Sequence, residues 1–207
     1  MKPDRAYSLL KDYTMTREGT FRDNLALAEE VKHIPGCVVE CGVWRGGMIA
    51  GLATVMGKHR NYFLFDSFRG LPPAKPIDGQ AALNYQADKE SATYYDNCAA
   101  SSRFAHSAME IVGVRNYNIV PGWFSDTIPA AHIPAPIAIL RLDADWYDST
   151  AVCLNSLFDL VAMGGLIIVD DYYIWDGCAR AVHDFLSRRQ ATERIRQRGT
   201  VCYLTKH

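Results

Sequence analysis

The chain has 207 residues, of which 49% are hydrophobic and 22% charged, and its net charge is −1. That balance describes an ordinary globular chain, long enough to bury a core without a metal or disulfide staple. It argues against disorder and against a nucleic-acid-coating surface. No apolar run approaches the roughly 20 residues that span a bilayer, and the polar start MKPDRAYSLLKDYTMT is unlike a secretory leader. The expectation is a single domain over 1–207 in the cytoplasm, with neither membrane nor nucleic acid as partner. The six cysteines show no C-x-x-C pair and no zinc spacing, and read as reduced thiols, mostly small core residues.

Residues 1–35 read as a helical N-terminal cap, with Phe21, Leu25, Leu27, Ala28 and Val31 near helical spacing and Pro35-Gly36 as the stop. Short apolar runs then alternate with helical stretches. Strands are predicted at 37–43 (CVVECGV), 62–65 (YFLF), 117–120, 137–142 (IAILRL) and 166–169 (LIIV). Helices are predicted at 46–56, at 149–163 closed by Gly164-Gly165, and at 178–189. Residues 194–196 and 201–204 can pair as a closing hairpin. Residues 69–92, with three prolines and then polar residues, read as a long loop, best explained as a lid on the substrate side. Strands without a polar face that alternate with helices imply an α/β fold with a parallel sheet covered on both faces. Ligands of such sheets bind beyond the carboxyl ends of the strands, and there the acidic residues collect: Glu40, Asp66, Asp143, Asp170 and Asp171.

The first strand runs into Glu40-Cys41-Gly42-Val43-Trp44-Arg45-Gly46-Gly47. Gly42 lets the chain turn, and Gly46 and Gly47 let the next helix start lie close to a ligand. The helix N-terminus suits a carboxylate, and Glu40 can accept from a ligand's ammonium or hydroxyl. The alternative is a plain glycine turn with a partly buried acid. A dinucleotide fingerprint would need glycine where Trp44 stands. Asp66, 24 residues past Gly42, ends the second strand, where an acid can accept both hydroxyls of a ribose or can simply cap a helix.

Asp143 ends the fourth strand, and Asp170-Asp171 end the fifth, 27 residues later. Neighbouring parallel strands would bring these carboxylates together, and their repulsion would be relieved by a hard divalent cation such as Mg²⁺, Ca²⁺ or Mn²⁺. A helix cap or a solvent turn is the alternative. Asp145 reads as a support for that group or as a general base, and equally as a loop residue.

These strings resemble the macrocin O-methyltransferase family of S-adenosylmethionine-dependent enzymes that methylate sugar hydroxyls. The resemblance runs from Tyr13-Thr14-Met15-Thr16 through VECGVWRGG, DSFRGLP, PGWF and LRLDAD to Val169-Asp170-Asp171-Tyr172. It implies a seven-stranded Rossmann-like methyltransferase sheet, mostly parallel with a reversed last strand and helices on both faces. It implies that Glu40 and Gly42 line the methionine end of the cofactor, with Cys41, Val43, Gly46 and Gly47 of the same turn. Asp66 would hold the ribose, with Ser67, Phe68, Gly122 and Trp123 near the adenosine. Mg²⁺ would sit on Asp143, Asp170 and Asp171, with Asp143 as the general base and Asp145 as the second candidate. Met48 departs from the family's serine after Gly-Gly, and Asp-Ala-Asp replaces its Asp-Gly-Asp. The partner implied is a small hydroxyl acceptor, in particular a sugar. Homo-oligomers through the N-terminal helices are a further implication.

Other readings compete. A catechol-like acceptor would chelate the same cation. A metal-dependent phosphohydrolase would use the aspartates but leave Glu40, Gly42 and Asp66 without a role. A non-catalytic S-adenosylmethionine-binding protein is the third. His106 and His183 read as surface or packed histidines, while His132 is more open to a substrate role. The arginine-rich tail at 188–198 reads as a solvated face. Tyr94, Tyr95, Trp146, Tyr147, Tyr172, Tyr173 and Trp175 either wall an acceptor pocket or pack the core.

Overall fold

Strands that are apolar on both faces need cover on both sides, and the arrangement of the chain supplies it. The computed structural model describes residues 2–134 and 136–207. Among these residues a seven-stranded sheet comprises β1 (Cys37–Cys41), β2 (Tyr62–Asp66), β3 (Tyr117–Pro121), β4 (Ile137–Leu142), β5 (Val161–Val169), β6 (Arg196–Arg198) and β7 (Val201–Thr205). The strand order is β3-β2-β1-β4-β5-β7-β6. Strands β1 to β5 are mutually parallel, and β7 runs antiparallel between β5 and β6. The reversed strand is thus the last one in the chain, as expected.

Both β1 and β4 are buried along their whole length. One face is covered by α1 (Pro3–Leu10), α2 (Glu18–Val31), α3 (Gly47–Met56) and α5 (Ser102–Ile111). The other is covered by α7 (Tyr147–Leu157) and α8 (Asp176–Arg188), with the short α6 (Phe124–Thr127) beside them. All six cysteines are free thiols, and five are buried. Among the described residues no helix is long and apolar enough to cross a membrane.

The strand order reverses between β1 and β4, so a crevice opens beyond their carboxyl ends. The register sets what meets there. Glu40 lies beside Arg141, and Leu142 beside Val169. The next residues, Asp143 and Asp170, therefore leave adjacent strand ends side by side.

Two expectations need correction. The helix predicted at 149–163 stops at Leu157, and Val161 already pairs with Ile137 in β5. Gly164 (φ +78°) and Gly165 do not close a helix. They form a bulge, since two positions further along β4 Ile139 already faces Leu166. The stretch 69–92 is also not irregular throughout, because Gln80–Ala87 forms a helix, α4. Only Ala82 of α4 is buried, so no apolar periodicity marked it. The segment before α4 is pinned to the start of α7. Trp146 Nε1 donates to the Pro72 carbonyl at 2.8 Å, and buried Asp78 accepts from Tyr147 N–H at 2.7 Å.

The turn into β1 depends on Arg60, whose guanidinium donates to four carbonyls: Lys32, Ile34, Gly36 and Met56, at 2.7–2.9 Å. Arg60→Met leaves those oxygens without their donor and is expected to cost about 2–4 kcal/mol in chemical denaturation, with Arg60→Lys recovering only part of it.

Candidate active site

Arg141 is the one charged residue in the IAILRL strand, and it is fully buried. A guanidinium cannot shed its proton, so its carboxylate partners must come to it. Nη1 donates to Glu40 at 2.7 Å and to Asp143 at 2.8 Å, and Nε reaches Asn24 of α2 at 3.4 Å. Nη2 lies 2.5 Å from Asp170 Oδ1, an ion contact in which no hydrogen bond is aimed at the oxygen. Glu40 uses its second oxygen to accept from Ile49 N–H in the first turn of α3, at 3.1 Å.

Beyond Arg141 the acids form a second tier. One oxygen each of Asp143, Asp145 and Asp171 lies within 4.8 Å of the others. Asp145 N–H donates to Asp171 at 2.9 Å, and the Trp175 indole N–H donates to Asp145 at 3.0 Å. The cluster differs in one member from the set expected: Asp145 faces Asp143 and Asp171, while Asp170 turns to Arg141. Burial pushes Glu40 up to about 8 and Asp143 up to about 6, although a third of the Asp143 side chain is exposed. Burial, then the charge of Asp143, pushes Asp145 up to about 8, and Asp171 is raised by burial and by Asp145. Three carboxylates share one guanidinium, two more lie beyond it, and among the residues lining the two cavities above them Lys75 is the only cation, itself paired with Asp148. Clustered oxygen donors with surplus negative charge suit a hard divalent cation.

The glycine turn is built for chain-to-chain contact. A Cβ at Gly42 (φ +90°) would lie 1.7 Å from the Asp143 carbonyl, so only glycine lets the ends of β1 and β4 come together. Gly46 and Gly47 make room for Ala105 of α5 and for Tyr13-Thr14, and neither lines a cavity. Packing by itself thus requires glycine at both positions. Asp66 holds the turn in place. It accepts from Val43 and Trp44 N–H at 2.7 Å and from Phe68 N–H at 2.6 Å. Three of about four acceptor directions are used, which leaves capacity for roughly one ligand hydroxyl rather than two.

Two cavities meet over the acids. The larger, about 500 Å³, is lined by Asp66, Ser67, Gly122, Trp123, Phe124, Ala144 and Trp146, under the 70–78 segment. The smaller, about 250 Å³, is lined by Glu40, Val43, Met48, Tyr85, Tyr95, Asp170, Asp171 and Trp175, with Tyr13 to Thr16 on one side. Met15, Gly42, Trp44, Cys98, Asp143 and Asp145 line both. Trp44 keeps a buried indole N–H that has no partner among the described residues. Cys41 faces the core, Phe68 packs beside it, and neither reaches a cavity.

The other candidates sort the same way. His106 and His183 bond Tyr117 and Tyr172, and with His132 they line neither cavity. Arg189 and Arg198 of the tail pair with Asp159 and Glu30. Of the aromatic set, Tyr95, Trp146 and Trp175 reach a cavity.

The sequence profile of the macrocin O-methyltransferases matches residues 10–206. The chain belongs to that family. It is 36% identical over 168 residues to a demethyldecarbamoylnovobiocin O-methyltransferase of Streptomyces niveus, across 75% of this chain and 60% of the relative. It is 35% identical over 163 residues to an 8-demethyl-8-(2,3-dimethoxy-alpha-L-rhamnosyl)-tetracenomycin-C 4'-O-methyltransferase of Streptomyces olivaceus, across 75% of this chain and 59% of the relative. The match thus spans about three fifths of the length of these curated relatives. The solved O-methyltransferase NovP superposes with a TM-score of 0.77 at 28% identity, covering 94% of this chain and 82% of that one.

Met48, where the resemblance predicts serine, is buried within the first turn of α3 and lines the smaller cavity, so its thioether puts an apolar surface there. The residue pattern did not mark Arg141 as part of the site, yet a charge inside an otherwise apolar strand was a usable signal. Cys98 and Tyr85 carried no such signal, since they arrive on a segment without periodicity.

Raised carboxyls hold protons in the folded chain that the unfolded chain releases above pH about 4, so their stabilising contribution is present at low pH and lost as pH climbs through about 6 to 8. In chelator the melting temperature is expected to fall over that range, and Asp171→Asn to flatten the slope. Arg141→Met strands the carboxylates it pairs and is expected to cost about 3–5 kcal/mol at neutral pH. Denaturation at pH 5 and pH 8 checks both, the Arg141→Met loss being larger at pH 8.

Proposed function

We propose that the chain is an S-adenosylmethionine-dependent O-methyltransferase acting on a hydroxyl of a sugar or glycosylated natural product, with Mg²⁺ or another hard divalent cation at the acid cluster. The observation that carries this reading is the place of that cluster. It lies at the switch point of the sheet, at the junction of two cavities, with far more negative than positive charge. The cofactor would supply a methyl group on a cationic sulfonium, and the cation would supply Lewis acidity toward an acceptor hydroxyl. Both positive charges complement the surplus of carboxylates.

The larger cavity falls in the size range of cofactor sites. Asp66, Ser67, Gly122 and Trp123 would hold the adenosine there, with Gly42 at the methionine end, and the buried Trp44 N–H offers a ligand acceptor a donor. Glu40 and Val43 flank the methionine side. Asp143, Asp145 and Asp171 would hold the cation, with Asp170 kept beside them by Arg141. Arg141 occupies Asp143 Oδ2, which leaves Oδ1 to take the acceptor's proton. Burial raises the Asp143 carboxyl in the absence of a metal, and a bound cation would lower its basicity again, so the cation's charge would supply most of the activation of the acceptor hydroxyl. Residues 69–92 act as the lid that excludes water from the larger cavity, and 1–35 as a cap on the same domain. The relatives' names supply the acceptor class, since one acts on a rhamnosyl tetracenomycin.

Purified chain with S-adenosylmethionine and Mg²⁺, given panels of deoxysugar glycosides and catechols, is expected to release S-adenosylhomocysteine with glycosides. Asp143→Asn is expected to lower turnover by about 10²–10⁴-fold while calorimetric cofactor affinity stays within about threefold. Absence of cofactor binding by the wild type, or phosphoester hydrolysis without it, defeats the reading. A catechol preference moves the acceptor class.

A further inference from the structure

We propose that Trp175 is a positioning residue that holds Asp145 toward the cation site and couples that site to the α4 segment. The inference rests on the reading that Asp143, Asp145 and Asp171 hold a divalent cation.

Asp145 is in an unusual position for a cluster member. It lies in the left-handed region (φ +55°), which a side chain other than glycine enters at a cost. Its backbone N–H is committed to Asp171, so the main chain is fixed, but the carboxylate can still swing about its own bonds. The only hydrogen bond to that carboxylate among the described residues comes from the Trp175 indole. With Oδ1 held there, the second oxygen is left for the cluster.

Trp175 is itself well placed to aim that bond. Its backbone N–H, like that of Ile174, donates to the Asp171 carbonyl, which ties the indole to the same turn as a second cluster member. Its ring meets Trp146 edge-on, with centroids 5.2 Å apart, and Trp146 is anchored to the Pro72 carbonyl. Another side of the ring meets Tyr85 of α4 at 5.6 Å, and Tyr85 donates to the Tyr94 carbonyl at 2.6 Å. A continuous aromatic contact therefore runs from a cluster carboxylate to both halves of the segment over the cavities. Partners that orient a metal-binding carboxylate change metal affinity by about 10–100-fold when removed.

Trp175→Phe keeps most of the ring contact and deletes the N–H. The expected result is a folded protein whose Mg²⁺ affinity, read by calorimetry in the absence of substrate, falls by about tenfold or more. In an Asp145→Asn background the same change is expected to add nothing further. Mg²⁺ titration is expected to shift tryptophan emission in the wild type and to lose that shift in Trp175→Phe. Tyr85→Ala is expected to weaken Mg²⁺ binding and to speed proteolysis within 88–96. Should Trp175→Phe misfold, benzothienylalanine at position 175, which replaces the N–H with sulfur in the same shape, makes the same test. Unchanged Mg²⁺ affinity in the N–H-less variant, or full additivity with Asp145→Asn, overturns the proposal. Absence of Mg²⁺ and Mn²⁺ binding in the wild type instead overturns the cation reading on which it rests.

Discussion

A guanidinium with no exposure to water, set between two parallel strands, dictates the arrangement of this site. Arg141 and Glu40 are register neighbours on β4 and β1, so their pairing is fixed by the ladder rather than by flexible side chains. The pair is not to be credited with much net stability, because desolvating both ions offsets most of their attraction. Its consequence is geometric. A buried positive charge one step before the strand end draws Asp143 and Asp170 inward, and these in turn bring the second tier of carboxylates to the crevice floor. Removing the arginine would leave acids that repel one another with nothing at their centre.

The same strand ends carry three of the non-glycine residues with strained backbone. Trp44, Phe68 and Asp145 all have positive φ, at +47°, +54° and +55°. Each is held by hydrogen bonds that the strand ends themselves provide. Asp66 accepts from the backbone of Trp44 and Phe68, and Asp171 from that of Asp145. Carboxylates here act as braces for loops before they act on any ligand. This explains why Asp66 has so little capacity left for a ribose, and why Gly42 tolerates no side chain: the turn it begins is clamped between Asp66 and the Asp143 carbonyl.

Much of the fold was legible because its signals are dense and local. Apolar runs such as IAILRL and LIIV, each ending in aspartate, can hardly be other than buried strands of a sheet with a polar mouth. What misled was glycine. Gly164-Gly165 reads as a helix stop, but its positive φ serves a bulge inside β5, and the choice between the two depends on the pairing partner β4. Likewise nothing local shows that Gly46 and Gly47 are also pressed by Ala105 and Tyr13 from distant parts of the chain. In the site, the strand-end aspartates were visible one by one. Which of them face each other was not, because Asp170 and Asp171 differ only in which side of the turn they leave, and Arg141 makes that selection.

The segment over the crevice follows from the same economy of anchors. Its helix α4 buries little, so it has no stability of its own to hold it there. It is held at defined points instead: Asp78 on the start of α7, the Pro72 carbonyl on Trp146, and Tyr85 against Trp175. Two of these anchors are the residues that follow Asp145 in sequence, and the third bonds its carboxylate. The loop from β4 to α7 therefore carries the acids on one side and the fastenings of the cover on the other. A displacement of that loop large enough to spread the carboxylates would also pull on the cover, and the cover cannot shift far without disturbing the carboxylates. The place of the cover and the arrangement of the charged floor are thus set by the same loop.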